Sequence, residues 1–225
     1  KSTRGFVFTT KANVLEYLQP KLTKSKIEKL KHYTIEQWQT NPQNIINEIQ
    51  KNFSKSQFLI VRSSALGEDS LEISYAGVYE SILHVLPHSK ASISNAIDSV
   101  IKSYIAKNNH DQNNQILIQN QTRDIITSGV VFTRTPDIGA PYYVINFEDG
   151  GSTTGTTHGI SNQMVKIYRN TKQKIEKKWA LLLDAVKEIE SVLDTDLLDI
   201  EFGITKSQKI VIFQVRPITS VRQQP

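Results

Sequence analysis

Short apolar blocks, separated by polar and glycine-rich breaks, let helical and strand segments be told apart along this chain. Val14, Leu15 and Leu18 recur at helical spacing behind Thr10, a residue type that caps helix N-termini, so a helix is expected there. Leu18, Leu22, Ile27 and Leu30 give the lysine-rich stretch from Lys21 to Lys31 an apolar side and predict a second helix at about Ser25 to Leu30. Ile45, Ile46 and Ile49 predict a third, from Pro42 to Phe53, and similar spacing predicts helices from Ile93 to Ile105 and from Lys174 to Leu193. Phe6-Val7-Phe8 reads as a short strand or an edge segment. Compact apolar runs at Phe58 to Val61, Tyr79 to Val85, Ile116 to Gln119, Gly129 to Thr133 and Tyr142 to Asn146 predict further strands. The run from Gly150 to Gly159 reads as a long loop. Helices open the chain and strands mix with helices thereafter, so the fold class is α+β, with two lobes meeting at a cleft.

The last two predicted strands carry the most chemistry. Asp199 and Glu201 interrupt the apolar run that starts at Leu197, and Gln214 and Arg216 follow Ile210 to Phe213. Residues i and i+2 of a strand share a face, so each strand presents a polar pair on one side. Two carboxylates side by side repel, and a cation between them removes the cost. A hard divalent ion such as Mg²⁺ suits oxygen ligands of this kind, and an arginine on the neighbouring strand can hold the anion that the metal also holds. Carboxylates, metal and arginine together suit a polyphosphate; the ordinary alternative is a cross-strand ion-pair network that serves the fold alone.

Other positions fit the same chemistry. Arg62 stands at the exit of a predicted core strand, ahead of the polar loop that holds Glu68 and Asp69. Gly77 allows a backbone to approach a phosphate closely. Lys11 sits at the start of the first helix, where an anion is favoured. Each has an ordinary alternative: a surface ion pair for Arg62, a plain turn for Gly77, and one more exposed lysine for Lys11.

Composition narrows the classes. The chain has 225 residues, enough for a sizeable core, and no cysteine, which removes disulfides, thiolate metal sites and cysteine nucleophiles. No run is long enough to span a membrane, so no membrane partner is expected and a cytoplasmic location is. The net charge of +5 comes from 27 Lys and Arg against 22 Asp and Glu. These cations are dispersed rather than interleaved with aromatics, which disfavours a nucleic-acid groove, and no nucleic acid is expected as a partner. No phosphate-binding Gly-Lys-Ser/Thr loop and no dinucleotide fingerprint occurs.

Taken in order, four segments resemble one family. Val61-Arg62-Ser63-Ser64-Ala65 with Glu68-Asp69 and Ser74-Tyr75-Ala76-Gly77, then Ser128 to Thr133, then Asp199-Ile200-Glu201, then Gln214-Val215-Arg216-Pro217-Ile218-Thr219 are similar to motifs of the ATP-grasp nucleotide-binding domain of phosphoenolpyruvate synthase and pyruvate phosphate dikinase. The resemblance implies Mg²⁺ and ATP as cofactors, with Lys11, Arg62 and Arg216 as catalytic, phosphate-binding residues. It implies Gly77 and Ser81 in the loop over the phosphates, Gln119 where the hinge approaches adenine, Asp199 and Glu201 as metal and nucleotide ligands, and Gln214 beside Arg216 on the terminal phosphate.

Further implications concern the whole enzyme. Residues 1–225 read as one ATP-grasp domain excised from a longer multidomain phosphotransferase. Its partners are then a swivelling phospho-histidine domain of the same protein and a small-molecule acceptor, with AMP and phosphate released. The compact form and the variants Tyr75, Tyr79 and Ser81 resemble most the kinases of surface-polysaccharide gene clusters, the L-glutamine kinase of capsular phosphoramidate synthesis foremost. Phosphoenolpyruvate synthase, a rifampin phosphotransferase-like enzyme and a non-catalytic ATP-binding module are the alternatives. Two departures stand out: the family's loop glutamate is absent from Gly155 to Gly159, and the family's phospho-histidine segment is absent from this sequence.

Overall fold

The computed structural model describes residues 6–67, 79–150 and 163–219. They fall into two compact units. The first takes in residues 6–27, 123–150 and 163–219, and the second residues 28–67 and 79–122.

In the second unit, strands β1 (Leu30–Thr34), β2 (Leu59–Ser64), β3 (Ser81–Val85) and β4 (Gln115–Asn120) form a sheet in the order β1-β4-β2-β3, every pairing antiparallel. Three helices belong to this unit. Helix α2 (Ile35–Thr40) opens on a reciprocal cap, in which the Thr34 hydroxyl accepts from Gln37 N and the Gln37 side chain accepts from Thr34 N. Asn41 and Ser89 cap α3 (Pro42–Asn52) and α4 (Lys90–Ala106) in the usual one-sided way. Alternation along the strands then sorts the side chains. Leu59 and Val61 of β2 and Ile116 and Ile118 of β4 pack with Ile45, Ile49, Ile93, Ile97 and Val100 of the helices in one core. Arg62, Leu117 and Gln119, out of step with them by one residue, take the other face.

In the first unit, α1 (Lys11–Leu18) is capped by Thr10, whose hydroxyl accepts from Asn13 N at 3.1 Å, and it packs on β9 (Ile210–Pro217). The sheet order is β7-β6-β5-β8-β9, again antiparallel throughout, from β5 (Ile125–Phe132), β6 (Tyr142–Asp149), β7 (Gln163–Tyr168), β8 (Leu198–Thr205) and β9. Helix α5 (Lys177–Leu193) covers one face: Trp179 meets Phe147 edge-on at 4.6 Å, and the buried Glu190 carboxylate accepts from Tyr143 Oη at 2.7 Å and Arg169 Nη2 at 2.6 Å.

The structure corrects several expectations. No strand forms at Phe6 to Phe8. No helix forms at Ser25 to Leu30: Pro20 lies in a 3-10 turn over Gln19–Lys21, and the chain then pairs with a strand. Lys26 N donates to Ile210 O at 2.8 Å and Ile212 N donates to Lys26 O at 2.9 Å, so sheet bonds satisfy the backbone that a helix would have used. Leu30 instead begins β1. Arg62 is not at a strand exit either, because β2 continues to Ser64. Three short elements, β1, α2 and β7, were not expected at all.

Candidate functional site

Directly paired residues of an antiparallel ladder share a face. Across β6, β5, β8 and β9 one row runs Ile145, Val131, Ile200, Val215, on the face that Phe147 and Tyr143 turn to α5. The neighbouring rows take the opposite face. Val144, Phe132, Asp199 and Arg216 form one, and Asn146, Val130, Glu201 and Gln214 the next. The four polar residues singled out at the end of the chain therefore meet as a two-by-two block, Asp199 opposite Arg216 and Glu201 opposite Gln214. Asn146 joins the Glu201 row two strands away, a placement that only the register reveals.

The block is largely removed from water. Asp199 and Gln214 are 6% and 5% exposed. Arg216 Nε donates to Asp199 Oδ2 at 2.8 Å. Burial pushes the Asp199 carboxyl above its ordinary value; the Arg216 guanidinium opposes that shift, and the Glu201 charge adds to it. A divalent cation beside Asp199 and Glu201 would add to the effect of Arg216 and favour the ionised form of Asp199. Carboxylate oxygens are the donors a Mg²⁺ ion prefers, so the residues present fit that metal. Among the described residues no group of three or more His, Cys, Asp or Glu side chains gathers.

Just past Glu201 the β8–β9 register slips by one residue, so that Phe202 pairs with Ile212 and Phe213 is the extra residue. Phe213 lies against Gly203, where an added Cβ would stand 2.8 Å from the ring. Beyond the bulge the pairing resumes, while Gln214 and Arg216 stay in step with the carboxylates.

Lys11 is the first residue of α1 and is buried, 6% exposed, so it is not one more surface lysine. In the second unit, Arg62 and Gln119 come together on the sheet face away from the helices: Arg62 Nη1 donates to Gln119 Oε1 at 3.1 Å, and both side chains are buried. Ser81 opens β3 directly opposite Arg62. Next to them Ser64 Oγ bonds Gln115 Oε1 at 3.1 Å. Gly77 and nearly all of the Gly150 to Gly159 loop lie outside the described residues.

The sequence of residues 35–153 matches the family model described as pyruvate phosphate dikinase, AMP/ATP-binding domain. The chain belongs to this family. The match takes in Arg62, Gly77, Ser81 and Gln119; Lys11 and the Asp199–Arg216 block lie beyond its ends. No curated protein matches the sequence. Among solved structures, the chain is similar to the VanG D-Ala:D-Ser ligase of Enterococcus faecalis at TM-score 0.53 and 13% identity, over 95% of this chain and 54% of that one. It is also similar to the D-alanine-D-alanine ligase of Helicobacter pylori, at TM-score 0.50 and 13% identity over 93% of this chain and 50% of that one. A third is the dinucleotide-forming acetyl-coenzyme A synthetase 1 of Ca. Korarchaeum cryptofilum, at TM-score 0.52 and 11% identity over 96% and 93%. At such identities the likeness is one of fold, and that fold is the α+β ATP-grasp domain read from the sequence. The chain spans about half the length of the two ligases. Among the described residues no helix is long and apolar enough to cross a membrane.

Proposed function

We propose that this chain is the Mg²⁺- and ATP-binding domain of a dikinase-type phosphotransferase and forms part of a longer cytoplasmic enzyme. The observation that carries the reading is the polar block on one sheet face, with Asp199 opposite Arg216 and Glu201 opposite Gln214. Family membership as an AMP/ATP-binding domain supports ATP as the nucleotide.

In this reading Asp199 and Glu201 hold Mg²⁺, which when bound neutralises charge on the phosphate oxygens. Arg216, Gln214, Arg62 and Lys11 hold the phosphates, with Gly77 and Ser81 over them and Gln119 near the adenine. Phosphoryl transfer asks little covalent chemistry of a protein, so these residues act by orienting the phosphates and offsetting charge as it shifts. The guanidinium of Arg216 is oriented in advance by Asp199, so little rearrangement accompanies the reaction. The β-phosphoryl group passes to a histidine nitrogen on a separate swivelling domain. The γ-phosphoryl group goes to water as phosphate, and AMP leaves. The phospho-histidine then serves a small-molecule acceptor, for which the amide of L-glutamine is the first candidate, on the Tyr75, Tyr79 and Ser81 variants.

The experiment uses the intact enzyme and ATP labelled at either the β or the γ position. Label from the β position is expected in the protein, with AMP and labelled phosphate accumulating from γ-labelled ATP. Formation of ADP in place of AMP would overturn the dikinase chemistry. Binding of ATP with no label transfer from either position would favour the non-catalytic module.

A further inference from the structure

The buried contact between Arg62 and Gln119 gives Gln119 a specific task. Arginine offers donors only, so the amide oxygen of Gln119 must face it. At its other end Gln119 Nε2 points to the main-chain oxygen of Glu28, 3.4 Å away, and a carbonyl offers an acceptor only. The amide is therefore held between an obligate donor and an obligate acceptor, and its orientation is fixed by both. Glu28 is itself anchored, because its carboxylate accepts from Asn120 Nδ2 at 2.9 Å and Thr122 Oγ1 at 3.4 Å. Leucine at position 119 would satisfy neither neighbour. Glutamate would satisfy Arg62, but it would face the Glu28 carbonyl without a donor and offset the guanidinium charge.

We propose that Gln119 is a positioning residue for Arg62: it aims the guanidinium from the neighbouring strand and adds no negative charge of its own. A carboxylate at this position would compete with phosphate for Arg62, whereas a neutral amide orients the group without adding a negative charge. The proposal rests on the reading of Arg62 as a phosphate ligand. It moves the task of the Gln119 side chain from the adenine to the phosphates.

The test is calorimetric titration of the chain with sodium tripolyphosphate and, separately, with ATP. Gln119→Leu is expected to weaken both ligands by the same factor, on the order of tenfold, the scale of one hydrogen bond to a charged group. Gln119→Glu should weaken both at least as much, although it keeps an acceptor for Arg62. In an Arg62→Met background, Gln119→Leu should have no further effect on tripolyphosphate. Thermal melts separate loss of folding from loss of binding. If Gln119→Leu weakens ATP and leaves tripolyphosphate unchanged, the side chain serves the adenine and the proposal is wrong. It is equally wrong if Gln119→Glu binds tripolyphosphate like the parent. If Arg62→Met itself leaves tripolyphosphate binding intact, or the parent chain binds none, the phosphate reading of Arg62 fails first and the inference goes with it.

Discussion

Asp199 and Arg216 face each other across the β8–β9 ladder, and the 2.8 Å bond between Arg216 Nε and Asp199 Oδ2 is made where both side chains are nearly out of solvent, 13% and 8% exposed. Removing the arginine would leave Asp199 buried beside Glu201 with its main counter-charge gone. Breaking one side of a buried ion pair costs about 3–5 kcal/mol. Arg216→Ala should therefore lower the unfolding free energy in urea by roughly 3 kcal/mol. Asp199→Asn in the Arg216→Ala background should recover part of that loss, because no uncompensated carboxylate then remains. A double variant no more stable than Arg216→Ala would show that the pair contributes through packing alone.

Two glycines in the first unit tolerate a methyl group very differently. At Gly129 an added Cβ would stand 2.1 Å from the main-chain oxygen of Asn146 and 2.8 Å from Phe147 Cα, and backbone in the centre of a sheet cannot step aside. Gly129→Ala should cost about 3 kcal/mol, at the upper end of overpacking effects. At Gly203 the obstacle is the ring of Phe213, a half-buried side chain that can turn. Gly203→Ala should cost about 1 kcal/mol, and Phe213→Leu should relieve it. Equal melting points for the two alanine variants would contradict this ordering.

Much of the candidate site was legible because strand periodicity is simple. Asp199 and Glu201, like Gln214 and Arg216, are two residues apart in apolar runs, and that spacing alone puts each pair on one face. The partnership between the pairs was less accessible: it depends on register, and the bulge at Phe213 has no signature in an unbroken apolar run. Arg62 and Gln119 are separated by 57 positions, so nothing local announces their contact. The failed helix at Ser25 to Leu30 has the opposite cause. Its apolar spacing suits a helix, but hydrogen bonds from Lys26 to the distant β9 take the backbone instead. Strand β7 escaped because its alternation, Gln163 to Tyr168, is weak on a sheet edge with much of its surface in water. Helix α2 is only 6 residues long, and its capping box was the one cue available.

Arg134 and Asp196 form another ion pair in the first unit, with Nη2 to Oδ2 at 2.7 Å and Nε to Oδ2 at 2.9 Å. Hydrogen bonding to Arg134 holds the Asp196 carboxyl below its ordinary value of 3.8. A lowered carboxylate value means that the pair stabilises the fold fully above the unfolded value and loses that share as pH falls through the folded one. Asp196 is 42% exposed, so solvent screening limits the share to about 0.5–1 kcal/mol. The melting points of the parent and of Arg134→Ala should differ by roughly 1–3 °C near pH 6, and the gap should close as the pH falls below about 4. A gap that stays constant down to pH 2 would mean that the charge on Asp196 contributes nothing.

The metal reading makes the strictest demand on Glu201. Burial and the Glu201 charge both favour a protonated Asp199, Arg216 opposes them, and a metal ion beside the two carboxylates would oppose them further. A non-hydrolysable ATP analogue should therefore bind this chain more tightly with Mg²⁺ than without. Glu201→Gln keeps the size of the side chain and an acceptor oxygen but removes one charge from the metal site. In that variant the gain from Mg²⁺ should shrink at least tenfold, the scale of about 1.4 kcal/mol in binding. Affinity in the absence of metal should hold or rise, because one fewer negative charge then faces the phosphates. Unchanged metal dependence in Glu201→Gln would remove this residue from the metal site. A large loss without metal would instead make Glu201 a direct ligand of the nucleotide, and the two outcomes are separated in a single pair of titrations.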